Sequence, residues 1–270
     1  MSLINFSPTL PGYKFMKQIG EGSYGEVWAA YSLEHQKMCA IKLIPNANMV
    51  NYMSVEKILD SELRGLEAGG ELYQCSLTYN RRLWPTKHVK FFVAELAVVL
   101  DHLHRKNIVY RDLKPDNVLV NSNGHVKLTD FGLAQYIWDI ETGVLVGTLQ
   151  YMSPEMLGGR EYGFETDWYS LGCLAFEMLT ASYPGSIDKA YSVPDSSQRE
   201  KIRIPFGIDS ICQEFVNRLL EFNPSQRISS LDQIKLDPWM KDFDWDSIEK
   251  IEIPASFEPK KINQFDLPKK

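Results

Sequence analysis

The chain has 270 residues, 44% of them hydrophobic and 24% charged, with a formal net charge of -6. That length builds one large domain or two lobes with a sizeable core, and the acidic balance argues against nucleic acid as a bulk electrostatic partner. No apolar stretch is long enough to span a bilayer, since FFVAELAVVL is short and carries Glu95, and MSLINFSPTLPG at the start has neither the basic residues nor the apolar block of a secretion signal.

In chain order, YKFMKQIG and GEVWAAYS flank a glycine turn and KMCAIKLI follows LEHQ, which predicts three strands between residues 13 and 44. From Met53 to Leu66 the apolar spacing turns helical, and EAGG breaks it. The second half reads mostly as helix. In TKHVKFFVAELAVVLDHLHRKN, Val89, Phe92, Val93, Leu96, Leu100 and Leu103 form one apolar face, with Thr86 as the expected N-cap after Pro85. DWYSLGCLAFEMLT is apolar almost all round and predicts a helix buried in the middle of a lobe, and SICQEFVNRLLEF and SLDQIKLDPWM complete the helical part. After Lys241 the chain mixes Pro, Lys and Asp with scattered apolar residues, as expected of a tail wrapping a surface. Cys39, Cys75, Cys173 and Cys212 are widely spaced inside apolar segments, which predicts buried free thiols and argues against a disulfide or zinc framework.

Five short stretches carry chemistry. GEGSYGEV, Gly20 to Val27, fits G-x-G-x-x-G-x-V; the strand-like residues after it exclude a dinucleotide fold, which leaves a plain glycine hairpin or a hairpin whose N–H groups cover phosphates. Ala40-Ile41-Lys42, fifteen residues later, favours the phosphate reading by placing a lysine in the third strand. In IVYRDLKPDNVLV an apolar run breaks into Arg111–Asn117 and returns at once: Asp112 can orient a hydroxyl and accept its proton, Lys114 can neutralise a phosphoryl group, and Asn117 offers a carbonyl oxygen to Mg2+. HVKLTDFG then delivers Asp130, a second hard oxygen ligand, from a strand over Val126 to Leu128. In VGTLQYMSPEML, Thr148 is expected to hydrogen-bond near Asp112, and Glu155 to pair with the late Arg227.

Taken in order, GEGSYGEV, AIK, YRDLKPDN, DFG, SPE, DWYSLG and Arg227 resemble the protein kinase family, over a span from about Tyr13 to the C-terminus. Lys114 within RDLKPDN resembles the serine/threonine class, and YRD with DPWMKDFDWDSI and IPASFEPKK resembles the AGC group. VGTLQYMSPEML and GCLAFEMLTASYPG look most like the phosphoinositide-dependent kinases within it.

The resemblance implies an α+β, two-lobed kinase-like fold: a small β lobe with one helix over residues 1–68, a large helical catalytic lobe over 69–240 and a tail over 241–270. It implies ATP and Mg2+ as cofactors, a protein substrate with a Ser or Thr acceptor, no nucleic acid or transmembrane segment, and a cytoplasmic location extending to the nucleus. Residue by residue, Gly20, Glu21, Gly22, Ser23, Tyr24 and Gly25 would cover the phosphates. Ile19, Val27, Ala40 and Leu119 would enclose the adenine. Lys42 would hold the α- and β-phosphates and pair with Glu62, or with Glu56. Asp112 would be the catalytic base, assisted by Lys114 and Thr148, with Asn117 and Asp130 as the metal ligands and Asp167 bracing the catalytic loop.

Two departures from the family pattern carry consequences. The AGC phospho-acceptor stands three residues before the glycine of GT, where this chain has Val144; activity is therefore expected not to depend on a phosphate there, with Thr142 the nearest substitute acceptor. Between Lys42 and Gly69 only residues 43–68 remain, too few for the family's helix, two further strands and adenine-gripping hinge. A three-stranded small lobe with an unpaired edge, loosely ordered and weak in MgATP binding, is the expectation. Three functions then compete: an active serine/threonine protein kinase, a pseudokinase acting as a binding or scaffold module, and a small-molecule phosphotransferase. Lys114 and the GTLQYMSPE segment weigh against the last, and the presence of Lys42, Asp112, Asn117 and Asp130 together weighs against the second.

Overall fold

The computed structural model describes residues 11–22, 25–34, 37–43, 70–72, 83–121, 123–184 and 207–257. The chain divides into two units, Met1–Glu67 and Ala68–Lys270.

In the first unit three strands form one antiparallel sheet, β1 (Tyr13–Gly22), β2 (Gly25–Ser32) and β3 (Lys37–Leu43), in the order β1-β2-β3. Glycines at Gly22 and Gly25 face each other across the first hairpin, and β1 shifts register between Phe15 and Lys17 and again between Gln18 and Gly20. Irregularities of this kind increase twist and re-aim a strand end. Phe15 and Trp28 meet edge to face with centroids 6.1 Å apart. The expected three strands are all present. The helix expected over residues 53–66 lies outside the described residues, and so does the hinge interval.

The second unit is built around α1 (Thr86–His104) and α3 (Glu165–Thr180), which pack against each other. All six apolar positions of the expected α1 face are buried, from Val89 through Leu103. Thr86 is not its N-cap. Pro85, with φ -55° and ψ 134°, occupies that place without a side-chain bond, and its carbonyl accepts from His88 at 2.8 Å. Proline's fixed φ and extended ψ start the turn, which makes Thr86 the first helical residue. In α3 both polar and apolar positions are buried, from Thr166 and Asp167 to Leu179, as the unbroken apolar pattern predicted. Gly172 lets this helix approach α4 (Ser210–Leu219): a Cβ there would stand 2.8 Å from that of Leu219. Cys173 and Cys212 are buried free thiols on these two helices, and burial pushes the Cys212 thiol up to about 12.

Short strands lie beside this helical core. β4 (Gly70–Glu71) pairs with β6 (Val118–Val120), which pairs with β7 (Val126–Leu128); β5 (Ile108–Val109) pairs with β8 (Gln135–Tyr136). β4, β5 and β8 have two residues each, too short to leave a periodic signal in the sequence. The short helix α2 (Pro154–Leu157) opens on Ser153, whose hydroxyl accepts from the Met156 N–H. Two further short helices, α5 (Leu231–Leu236) and α6 (Trp245–Lys250), pack against α1. The chain after Lys241 covers part of this unit: Phe257 is buried against Trp84, His88 and Phe92, and Ser256 bonds His88 at 3.1 Å.

Candidate active site

The polar residues Arg111–Asn117 emerge between β5 and β6 and are held from the core side by α3. Asp167, fully buried in the first turn of α3, accepts at Oδ1 from the Arg111 N–H and at Oδ2 from the Tyr110 N–H and the His104 ring, each at 2.8 Å. The two main-chain donors exist whatever non-proline residues stand at 110 and 111, so the specific part of this bracing is the Asp167 carboxylate. It also explains how Arg111, a non-glycine residue, tolerates φ 69° immediately before Asp112. Such backbone persists only where the surroundings over-determine it. The last constraint comes from Gly147, at φ 97°, where a Cβ would lie 2.4 Å from the Arg111 carbonyl oxygen.

Asp112, only 8% exposed, is bonded on both carboxylate oxygens. Thr148 donates to Oδ1 at 2.8 Å, Asn117 Nδ2 donates to Oδ2 at 2.8 Å, and Lys114 Nζ stands 2.9 Å from Oδ2. Lys114 also donates to the Thr148 hydroxyl at 2.7 Å, which closes a three-membered cluster of acid, cation and hydroxyl. The Asn117 amide nitrogen donates as well to the Asp112 carbonyl at 2.8 Å, leaving the side-chain carbonyl of Asn117 to serve a cation. Behind it, the main-chain carbonyl of Asn117 accepts from both the N–H and the hydroxyl of Thr129. This ties the loop to the end of β7 and so to Asp130.

Asp130 has φ 51° and ψ 75°, and its carboxylate accepts from the Gly132 N–H at 3.3 Å. The Tyr110 hydroxyl donates to the carbonyl of Thr129, one residue earlier, and the Tyr110 ring meets Phe131 edge to face at 5.3 Å. Burial pushes the Tyr110 phenol well up, with the charges of Asp112, Asp130 and Asp167 acting in the same direction. It therefore remains a hydrogen-bond donor throughout the working pH range.

The site residues suit a magnesium nucleotide. One amide carbonyl and one carboxylate are hard oxygen donors, and Mg2+ is ordinarily held by one or two such ligands plus substrate phosphates. Among the described residues no group of three or more His, Cys, Asp or Glu side chains could hold a metal by itself.

The structure thus brings together Asp112, Lys114, Asn117 and Thr148, with Asp130 joined through Thr129. Leu119 lies in β6 opposite Lys127 and Glu71. In the first unit Ile19, Gly20, Glu21 and Gly22 lie in β1, Gly25 and Val27 in β2, and Ala40 and Lys42 in β3, with Val27 directly across from Lys42. Ser23, Tyr24, Glu62 and Glu56 lie outside the described residues. The expected Glu155–Arg227 pair forms, bidentate at 2.6 and 2.9 Å and almost fully buried. Sequence reasoning did not find His104, Thr129 or Tyr162, whose hydroxyl accepts from Arg111. Each is an ordinary polar residue in a helical or loop context, identifiable only by what it touches.

A polar loop braced by a buried helix, with an acid, a lysine, an amide and a strand-borne aspartate converging, is the arrangement of a phosphotransferase. The chain belongs to the protein kinase family: the model of the protein kinase domain matches residues 66–240. Its relatives place it in the serine/threonine class, AGC group. It is 30% identical over 296 positions to the cAMP-dependent protein kinase catalytic subunit of Dictyostelium discoideum, covering 97% of this chain and 45% of that protein. To protein kinase 2 of the same organism it is 31% identical over 290 positions, covering 97% and 60%. To human ribosomal protein S6 kinase alpha-6 it is 38% identical over 181 residues, covering 66% and 24%. The chain spans about half the length of the relatives it matches.

Proposed function

We propose that this protein is an ATP-dependent serine/threonine protein kinase acting on protein hydroxyls in intracellular signalling. The observation that carries the reading is the Asp112–Lys114–Thr148 cluster, held by Asn117 and joined through Thr129 to Asp130. Asp112 receives the acceptor hydroxyl and takes its proton. Lys114, already fixed by Thr148, compensates charge on the transferring group. Asn117 and Asp130 would hold Mg2+, and the family resemblance assigns phosphate contacts to the glycine hairpin and Lys42. MgATP, when bound, supplies the phosphoryl group. Residues 1–68, 69–240 and 241–270 are assigned to nucleotide binding, catalysis with substrate binding, and a covering tail. The buried thiols Cys173 and Cys212 support a cytoplasmic setting, extending to the nucleus.

Transfer of labelled phosphate from ATP to a basic peptide, with and without Mg2+, tests the reading. Transfer should require Mg2+, and Asp130→Asn should weaken Mg2+-dependent nucleotide binding along with rate; Mg2+-independent transfer, or none, counts against it. A second reading, a kinase-shaped binding module that holds MgATP weakly, is supported by the short interval of residues 43–68 between Lys42 and Gly69. Thermal-shift titration separates the two: micromolar stabilisation that discriminates ATP from other nucleotides excludes the second.

A further inference from the structure

Arg111 stands directly before Asp112, and its guanidinium reaches two acceptors. Nε donates to the Leu133 carbonyl at 2.7 Å, and one terminal nitrogen donates to the Tyr162 hydroxyl at 3.3 Å. Tyr162 comes from the turn that precedes α3 and is buried. Its ring belongs to an apolar cluster with Met152 and Met156, against which Ile140, Val146 and Leu157 pack. Ile140 and Val146 belong to the segment between Asp130 and Thr148. One side chain therefore has its ring in the cluster that seats this segment and its hydroxyl on the arginine of the catalytic loop. Val144, at the position where a phosphate would otherwise meet that arginine, is 44% exposed and offers no acceptor.

Resting on the kinase reading above, we propose that Tyr162 is a positioning residue that replaces an activation-segment phosphate, acting on Asp112 through Arg111. A phosphoryl group orders such a segment by bringing charge and acceptor oxygens to an arginine. Here a phenolic oxygen supplies the acceptor and the apolar cluster supplies the seating, so no modification is needed. The effect reaches Asp112 because Arg111 has little freedom: its N–H is fixed on Asp167, its carbonyl lies against Gly147, and its backbone has φ 69°. With those points held, the guanidinium is the remaining handle on the residue that presents Asp112.

The test uses the full chain treated with phosphatase. Tyr162→Phe keeps the ring and removes only the acceptor, so the cluster survives. It should lower kcat about five- to tenfold with the KM for ATP unchanged. The same change made in an Arg111→Ala background should cost nothing further, because the two residues act as a unit. Amide hydrogen exchange across residues 135–148 should quicken in Tyr162→Phe, again with no further increase in the double variant. Phosphatase-treated native protein should keep its rate. Additive losses in the double variant, unchanged exchange in Tyr162→Phe, or loss of native activity on phosphatase treatment would each overturn the proposal. Should the native chain transfer no phosphate at all, the kinase reading fails, and the exchange comparison still decides what Tyr162 does.

Discussion

Two polar clusters of the second unit look alike in composition and differ in what they are for. Glu155 and Arg227 form a bidentate pair with the arginine 2% exposed, and Arg227 satisfies further donors on the carbonyls of Glu221 and Glu165 while lying over the Tyr169 ring. Every group is saturated within the protein. Asp112, Lys114 and Thr148 are also mutually bonded, yet Lys114 is half-buried and the cluster sits on a loop held by strained backbone at Arg111 and Asp130. The first pair is closed off from solvent, whereas the second leaves Lys114 reachable from outside. Asp167 links the two kinds, being as buried as Glu155 while directing its bonds to the catalytic loop.

Breaking each cluster should separate the roles, beginning with the largest effect. Arg227→Ala leaves Glu155 as an uncompensated buried charge and should cost about 3–5 kcal/mol, lowering the melting temperature by roughly 10 °C in calorimetry. Equal stability in that variant would end the distinction. Asp112→Asn should instead reduce turnover by about a hundredfold or more with melting temperature and ATP affinity nearly unchanged. Gly147→Ala sharpens the contrast by acting on both: an alanine at φ 97° costs about 1–2 kcal/mol before its Cβ meets the Arg111 carbonyl, so stability and kcat should fall together.

The smallest effect belongs to Glu177. Burial raises its carboxyl above the ordinary carboxylate range, the hydroxyl bond from Tyr151 opposes this, and the charge of Asp116 adds to it. A raised folded-state pKa means that the stability contribution of Glu177 is fully present below the ordinary range and is lost as pH rises through the raised value. Glu177→Gln should therefore melt slightly higher than the native protein near pH 7, by roughly 2 °C, with the gain closing as pH falls through the carboxylate range. A gain that persists at low pH would show that ionisation of Glu177 is not its source.

By itself the sequence determined the strand-rich start, the helical second half, the buried faces of α1 and α3, and the polar residues that converge on Asp112. Those follow from periodicity and from short motifs whose chemistry is carried by residue type: Asp112, Lys114 and Asn117 lie within six residues of one another, and the Asp130-Gly132 pair follows a strand-like run. The Asp167 brace and the Glu155–Arg227 pair were also legible, through the family resemblance. Only tertiary structure decided the rest. β4, β5 and β8 are two residues long and exist because a partner strand lies beside them. Pro85 displaced Thr86 as the cap because a fixed φ, invisible to a side-chain preference, set the start of the helix. Nor does any pattern single out His104, Thr129 or Tyr162. His104 reaches Asp167 across 63 residues and Tyr162 reaches Arg111 across 51, and a bond over such separations is specified by packing rather than by any local order of residues.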